Sequence, residues 1–531
     1  MTQPTVSSRT TRDPRLDFFR GLAMFIILAA HTPGNVWTLW IPARFGFSDA
    51  ADIFVFCSGL ASAMAFGSIF LNKSWLLGTS RIGFRVWQVY WAHIGIFLVT
   101  AMLAFAIDHY DIGNSDRPYT HTPYVVPFFE QTGEAMLGLL TLTYVPGLFD
   151  ILPMYLVILA MIPLLMLVYR SAGFPGVVLA VGALWLCANI AGYAHQMGAE
   201  DRIGLSAAHL ALLQLGDALS FLNLPNNPFG EGRWFFNPFG WQIIFFTGFA
   251  FGMKWLPAPP INRTLIWVAA LYVLAVIPFA WFKIHGGLYM PDSWALQDWI
   301  ADTRAAFRFL WWKSDMGLAR YVHFLAVAYL AFCAVGAGGR RLVTGFRAPR
   351  PLGPVGLTLA VIVLIVTIPY TYVNEIMAYL PALNDLIVYY FATVGPQYFG
   401  TDLFAPAERI GLLQIAHLIA AVVLIWAAIG QSRREWLLRD GFLATVPVIR
   451  KVGTQSLAVF MTSIPLARFN GWILDLIGRD VWTFWVVNCW GFAVLIAVAY
   501  SVSWFKSQPW RNKPKAAAPP SAPQAVTPVA A

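Results

Sequence analysis

Apolar runs separated by short polar breaks recur along nearly the whole of this 531-residue chain. Crossing a hydrocarbon core takes roughly 20 mostly apolar residues. Twelve segments meet that requirement, near 16–37, 49–71, 84–107, 149–169, 174–193, 239–256, 263–282, 318–337, 354–372, 408–429, 453–473 and 481–504. Prolines interrupt 149–169 at Pro153 and Pro163 and close 354–372 at Pro369, which gives the count a range of 10–12. The apolar stretch 134–148 is too short to span and rich in turn residues, so it predicts a re-entrant or interfacial helix. The pattern as a whole predicts an all-α, polytopic transmembrane helical bundle occupying residues 16–505. Residues 1–15 form a polar cytoplasmic segment without the apolar core of a cleaved signal, so the first helix is expected to be retained. Residues 506–531 read as a disordered cytoplasmic tail rich in Pro and Ala.

Composition agrees with the pattern. The chain is 58% hydrophobic and only 11% charged, with a mean hydropathy of +0.63, more apolar surface than a soluble domain buries. Cys57, Cys187, Cys333 and Cys489 all fall inside apolar runs without metal-ligand spacing, so they read as small core residues and no metal is expected. A net charge of +9 raises nucleic acid as a partner, but its distribution assigns it to membrane orientation. Threading twelve spans from the inside assigns 22 Lys and Arg to the cytoplasmic side and 12 to the outer side, with Arg20 inside the first helix. Both termini are therefore expected in the cytoplasm, in the inner membrane of a bacterium, with no nucleic-acid partner. The outer segments 108–148, 194–238, 283–317 and 373–407 are long, where binding residues tend to sit. Within them, the amide- and indole-rich run 225–238 reads equally as a sugar site or as interfacial turns.

The chemistry begins in the first helix, where Asp17, Arg20 and His31 share one membrane segment. Ionisable groups are costly there and need a partner or a purpose. Eleven residues bring His31 back to within about 20° of Arg20, roughly 16 Å further along the axis. Asp17 joins the same stripe and fits a structural ion pair. Asp52, at the start of the second helix, lies at a depth where its carboxylate can orient the His31 imidazole. On the other side, Arg81 and Arg85 stand one turn apart and can grip phosphates together. With Arg20 they suggest an anionic cytosolic ligand such as a coenzyme A thioester.

These residues carry a resemblance. Leu16-Asp17-Phe18-Phe19-Arg20-Gly21, followed after ten residues by His31, resembles the R-x10-H signature of the membrane acyltransferase three superfamily. Asp52-Ile53-Phe54-Val55-Phe56-Cys57-Ser58-Gly59 is similar to its second-helix Ser-Gly motif. Arg81, Arg85 and Tyr90-Trp91 resemble its basic block, and Gly453-Thr454-Gln455-Ser456 its late helix. Over nearly the whole chain the match is to the OpgC branch, whose members succinylate osmoregulated periplasmic glucans. Leu152-Pro153-Met154-Tyr155, Asn237-Pro238-Phe239-Gly240-Trp241-Gln242, and Lys313 with His323-Phe324-Leu325-Ala326 resemble that branch. The chain departs from the superfamily in offering Asp150 and Tyr155 where a Glu precedes an aromatic pair, and Thr462-Ser463 where a His is common, so those roles are not carried over.

The resemblance implies transfer of an acyl group, succinyl in this branch, from coenzyme A to a periplasmic glucan hydroxyl, with no permanently bound cofactor. Arg20, Arg81 and Arg85 are the expected donor-binding residues, and His31 with Asp52 the catalytic ones. Asp150, Tyr155, Lys313, Arg320 and His323 are the candidates for substrate contacts and oxyanion stabilisation, Lys313 or Arg320 suiting an anionic acyl group. His31 reads either as a general base or as a nucleophile that carries the acyl group. A transporter of a glucan or organic anion is the competing class, but the two halves show no internal repeat of the kind transporters carry. Oligomeric state is left open.

Overall fold

The computed structural model describes residues 13–198, 200–286, 294–371 and 412–511. The expected outer segment 373–407, the first residues of the span expected at 408–429, nearly all of the N-terminal segment and the tail after Arg511 lie outside the described residues. The described chain is helical, and its one β feature is an isolated bridge between Pro225 and Arg233.

Helix α1 is Pro14–His31, α2 Ala50–Asn72, α3 Trp75–His109, α4 Thr132–Thr141 and α5 Ile151–Gln196. They are followed by α6 Ala207–Ala218, α7 Pro238–Gly252, α8 Arg263–Ala280, α9 Ala295–Ala306 and α10 Leu318–Val335. The last five are α11 Pro354–Thr371, α12 Leu412–Ala428, α13 Phe442–Thr454, α14 Ser456–Ile477 and α15 Val481–Ser507. Side chains fix several starts by accepting the free amides of the first turn. Ser74 caps α3, Asn237 α7, Asn262 α8 and Asp480 α15. Pro14 and Pro238 occupy the first turn, where a missing amide proton costs nothing.

Two boundaries differ from the pattern. Helix α1 ends at His31 rather than at 37, because extended Thr32, Pro33 and left-handed Gly34 (φ +67) turn the chain away. Helix α5 holds both expected spans 149–169 and 174–193 as two helices that meet at Gly173 with no loop between them. Its direction reverses at Gly173, whose φ of +64 with ψ of −164 is open to glycine and costly for other residues. The two ends of α5 return to one place. Asp150 lies within electrostatic reach of Lys313, and a side chain at Gly192 would strike Asp315. Tyr169 and Phe174, on either side of the bend, flank the Trp255 ring at 4.2 and 5.9 Å.

Seven described helices are long and apolar enough to cross a membrane, or eight if a pair bent by 116°, Ile415–Ala428 and Gln431–Thr454, forms one span. The protein is thus a helical membrane protein. Helix α1 falls outside that set because Arg15, Asp17 and Arg20 crowd its first turns, and α7 because it has 15 residues.

One large core joins α1, α2, α3, α5, α7, α14 and α15. In lipid, where apolar surface gains little from clustering, small residues that let backbones approach drive such packing. A Cβ on Gly59 would lie 1.9 Å from the Phe245 carbonyl oxygen, and one on Gly248 2.2 Å from that of Phe56, so α2 and α7 cross at backbone contact. The same holds for α1 and α13: a Cβ on Gly21 would meet the Ile449 oxygen at 2.0 Å, and one on Gly453 the Asp17 oxygen at 1.8 Å. These glycines of the first-helix, Ser-Gly and late motifs are packing devices. Helices α8 and α10 pack against each other, as do α11 and α12, and α8 buries little of its surface.

Candidate functional site

His31 closes α1, and its own helix sets its chemistry. Nδ1 lies 2.8 Å from the carbonyl oxygen of Ile27, which can only accept, so Nδ1 carries the proton and Nε2 keeps a lone pair. The turn that follows is pinned from behind. Thr32 Oγ1 donates to Leu28 O at 2.9 Å, and the buried Asn35 amide donates to Ala29 O at 3.1 Å and to Asn488 Oδ1 of α15 at 2.9 Å. Lys313, Asp49 and Arg468 stand close enough to act on the imidazole electrostatically.

Beside His31 lies a network of two acids and two bases. Asp49 caps α2 by accepting from the Ala51 amide at 2.8 Å, while Asp52 reaches back to the Asp49 amide at 2.8 Å. Lys313 Nζ donates to Asp49 at 2.6 Å. Arg320, from the first turn of α10, forks onto Asp52, reaches Asp49 at 3.3 Å and donates to the Phe47 carbonyl. The sequence pattern places Asp52 behind the imidazole, and here the structure differs. Its carboxylate is engaged by Arg320 and the Asp49 amide, and the hydrogen bond that orients His31 comes from Ile27 instead. Lys313 and Arg320 likewise meet carboxylates of this chain, which neutralise them as anion receptors. Lys313 keeps one exposed side and lies 5.2 Å from the Phe236 ring.

The other expected residues separate into two groups. His323 is buried against Gly46 and accepts from the Ser48 amide at 3.3 Å through Nδ1, with Ser48 Oγ at 2.8 Å. Asp150 is 1% exposed, with Oδ2 lacking a hydrogen-bond partner. Both surround the Lys313 network. Tyr155 sits lower in the core, its ring 6.0 Å from Phe245. Towards the opposite end of the bundle, Arg20 lies over Phe54 at 6.0 Å and within electrostatic reach of Cys57. Arg81 and Arg85 follow on α3, Arg81 exposed and Arg85 near Lys506. The 225–238 run folds as a clip rather than as an open sugar-binding surface: Arg233 grips Asp315 with two bonds of 2.7 Å, and Asn237 and Asn223 brace the same pair.

Sequence reasoning missed Asp49 and Arg468. The first is a helix cap whose importance depends on Lys313, distant in sequence. The second sits inside an expected span, the same signal that singles out Arg20. Arg468 borders a cavity of about 440 Å³ that opens beside Pro33, two residues past His31, and is walled by the end of α3, residues 115–125 and the end of α14.

The OpgC protein family model matches residues 12–368 and 346–507. The chain belongs to the OpgC family. Membership makes this helical membrane protein an acyltransferase acting on glucans, and the match takes in every site residue named above. No curated protein and no solved structure matches this OpgC-family chain.

Proposed function

We propose that this OpgC-family protein moves a succinyl group from a cytosolic coenzyme A thioester to hydroxyls of periplasmic osmoregulated glucans. It does so as a multi-pass inner-membrane enzyme with about twelve spans and cytoplasmic termini. The observation that carries the reading is the 2.8 Å contact between His31 Nδ1 and the Ile27 carbonyl, which leaves Nε2 free to accept a proton. In this reading Nε2 takes the proton of an acceptor hydroxyl as its oxygen attacks the thioester carbonyl. The tetrahedral intermediate collapses, the carbon–sulfur bond breaks, and the imidazolium returns its proton to the departing thiolate. A positioned base contributes roughly 100- to 10,000-fold, and further stabilisation comes from donors facing the oxyanion.

Arg20, Arg81 and Arg85 hold the phosphates of coenzyme A. Helix α1 is continuous from Arg20 to His31, about 16 Å, a distance an extended pantetheine arm covers. Asp52 acts through Arg320, fixing the Phe47–Asp49 turn beside His31. His323, Asp150 and Tyr155 shape the surroundings of the acceptor. The test is His31→Ala in cells that make the glucans, read by mass spectrometry of the periplasmic fraction. Loss of the acyl substituent at normal protein level is expected. Fully substituted glucans would refute the assignment. Arg20→Ala is expected to raise KM for the thioester, and an unchanged KM would remove the donor path.

A further inference from the structure

We propose that Arg468 binds the distal carboxylate of the transferred acyl group and so selects a dicarboxylic donor over acetyl; the inference rests on the acyl-transfer reading above. The two cations of the network beside His31 already meet carboxylates of this chain. Lys313 pairs with Asp49, and Arg320 with Asp52 and Asp49. At the far rim of the neighbouring cavity Arg479 pairs with Asp475, whose other oxygen accepts from Tyr119.

Arg468 differs from all of these. Among the described residues it has no ion pair. Its guanidinium meets Tyr124, through a side-chain hydrogen bond and over the ring at 5.1 Å, and among the described residues its buried Nε has no hydrogen-bond partner. A cation held within a membrane helix is costly unless something compensates it. Here the compensating group has room to come from outside the chain, because Arg468 borders the cavity of about 440 Å³ that opens beside Pro33. That cavity is also lined by Arg117 and Arg479, with Asp475 its single acid, so it favours an anion. The planar fork of arginine suits a carboxylate, which it can bind through two parallel hydrogen bonds.

The anion is placed by the cavity's position beside the turn that follows His31. Pro33, which lines the cavity, stands two residues past His31, and Arg468 acts electrostatically on the imidazole, so a molecule with its carboxylate on Arg468 has its other end directed to His31. A four-carbon dicarboxylic acyl group has that shape, with its thioester carbonyl at Nε2 and its free carboxylate in the cavity. An acetyl group ends at the carbonyl and leaves Arg468 without a counter-ion.

The experiment uses the full chain in detergent or nanodiscs, with a neutral glucan as acceptor and succinyl- or acetyl-coenzyme A as donor. The ratio of kcat/KM for the two donors is compared between the wild type and Arg468→Gln. The ratio is expected to fall about 10- to 100-fold, the range for loss of a charge-assisted hydrogen bond. Where the Gln variant does not accumulate, Arg468→Lys is read in the same way, since a point charge cannot reproduce the fork. An unchanged ratio overturns the proposal, and so does an equal loss with both donors, which would mark a purely structural arginine. Transfer from neither donor by the wild type overturns the acyl-transfer reading itself.

Discussion

Arg320 and Asp52 form a buried ion pair, their side chains 5% and 0% exposed. Such a pair is sensitive because removing one partner leaves the other charge buried and uncompensated, at about 3–5 kcal/mol. Arg320→Met and Asp52→Asn should therefore each lower the apparent Tm of the detergent-solubilised protein sharply. The double variant should lose less than the sum of the two, with a coupling of about 1–3 kcal/mol. Strictly additive losses would show that the two side chains do not depend on each other.

The crossing of α1 over α13 makes a second prediction. Gly21→Ala and Gly453→Ala each push a methyl group into a backbone carbonyl of the other helix. Overpacking of this kind costs about 1–3 kcal/mol, more where the obstacle is backbone. Gly95→Ala and Gly182→Ala lie in helices with open space around the new methyl and should be neutral or stabilising by up to about 1 kcal/mol. Thermal unfolding of the four variants checks the contrast. Equal effects in both pairs would contradict the close approach.

Much of this architecture is legible in the sequence, because a membrane helix is a local object. Hydropathy alone places the Asp17, Arg20 and His31 stripe on one helix, and the break between 149–169 and 174–193 marks the reversal that Gly173 makes. The pairings are not legible. Asp52 and Lys313 are recognisable as costly groups, but which acid meets which base depends on how α2 and α10 pack. Hence the orienting role expected of Asp52 passes to the Ile27 carbonyl, a partner with no side-chain signature. The position of Arg468 inside an expected span is legible, but the engagement of Asp49, Asp52 and Asp475 by other cations, which sets it apart, is not.

The 225–238 run separates a structural role from a sugar-binding one. Arg233 gives its fork to Asp315, with side chains only 9% and 3% exposed. Arg233→Gln should therefore lower protein stability by about 3 kcal/mol or more and reduce the amount of protein in the membrane, while KM for the glucan stays within about twofold once activity is normalised to folded protein. A raised glucan KM in a normally stable variant would instead return this run to the acceptor site.

Asn35 offers a test of how tightly the His31 turn must be held. Its side chain is 2% exposed and serves four groups. Its Nδ2 donates to Ala29 O and Asn488 Oδ1, and its Oδ1 accepts from the Trp37 amide at 3.1 Å and from Asn488 Nδ2 at 3.1 Å. Asn35→Ala removes all four contacts and leaves the Asn488 amide buried with only the Phe484 carbonyl, at about 1–3 kcal/mol for each polar group left unmade. The carbonyl of Ala29 lies two residues before His31, so in the proposed mechanism the loosened turn lets the imidazole drift from the acceptor. Misplacement of a reacting group by about 1 Å can cost 100-fold in rate. The expected outcome is a lower Tm together with a fall in kcat of about 10- to 100-fold, while KM for the thioester is little changed, because the proposed donor site lies at the other end of α1. A variant that loses stability but keeps its kcat would show that the Ile27 hydrogen bond alone is enough to hold His31 in place.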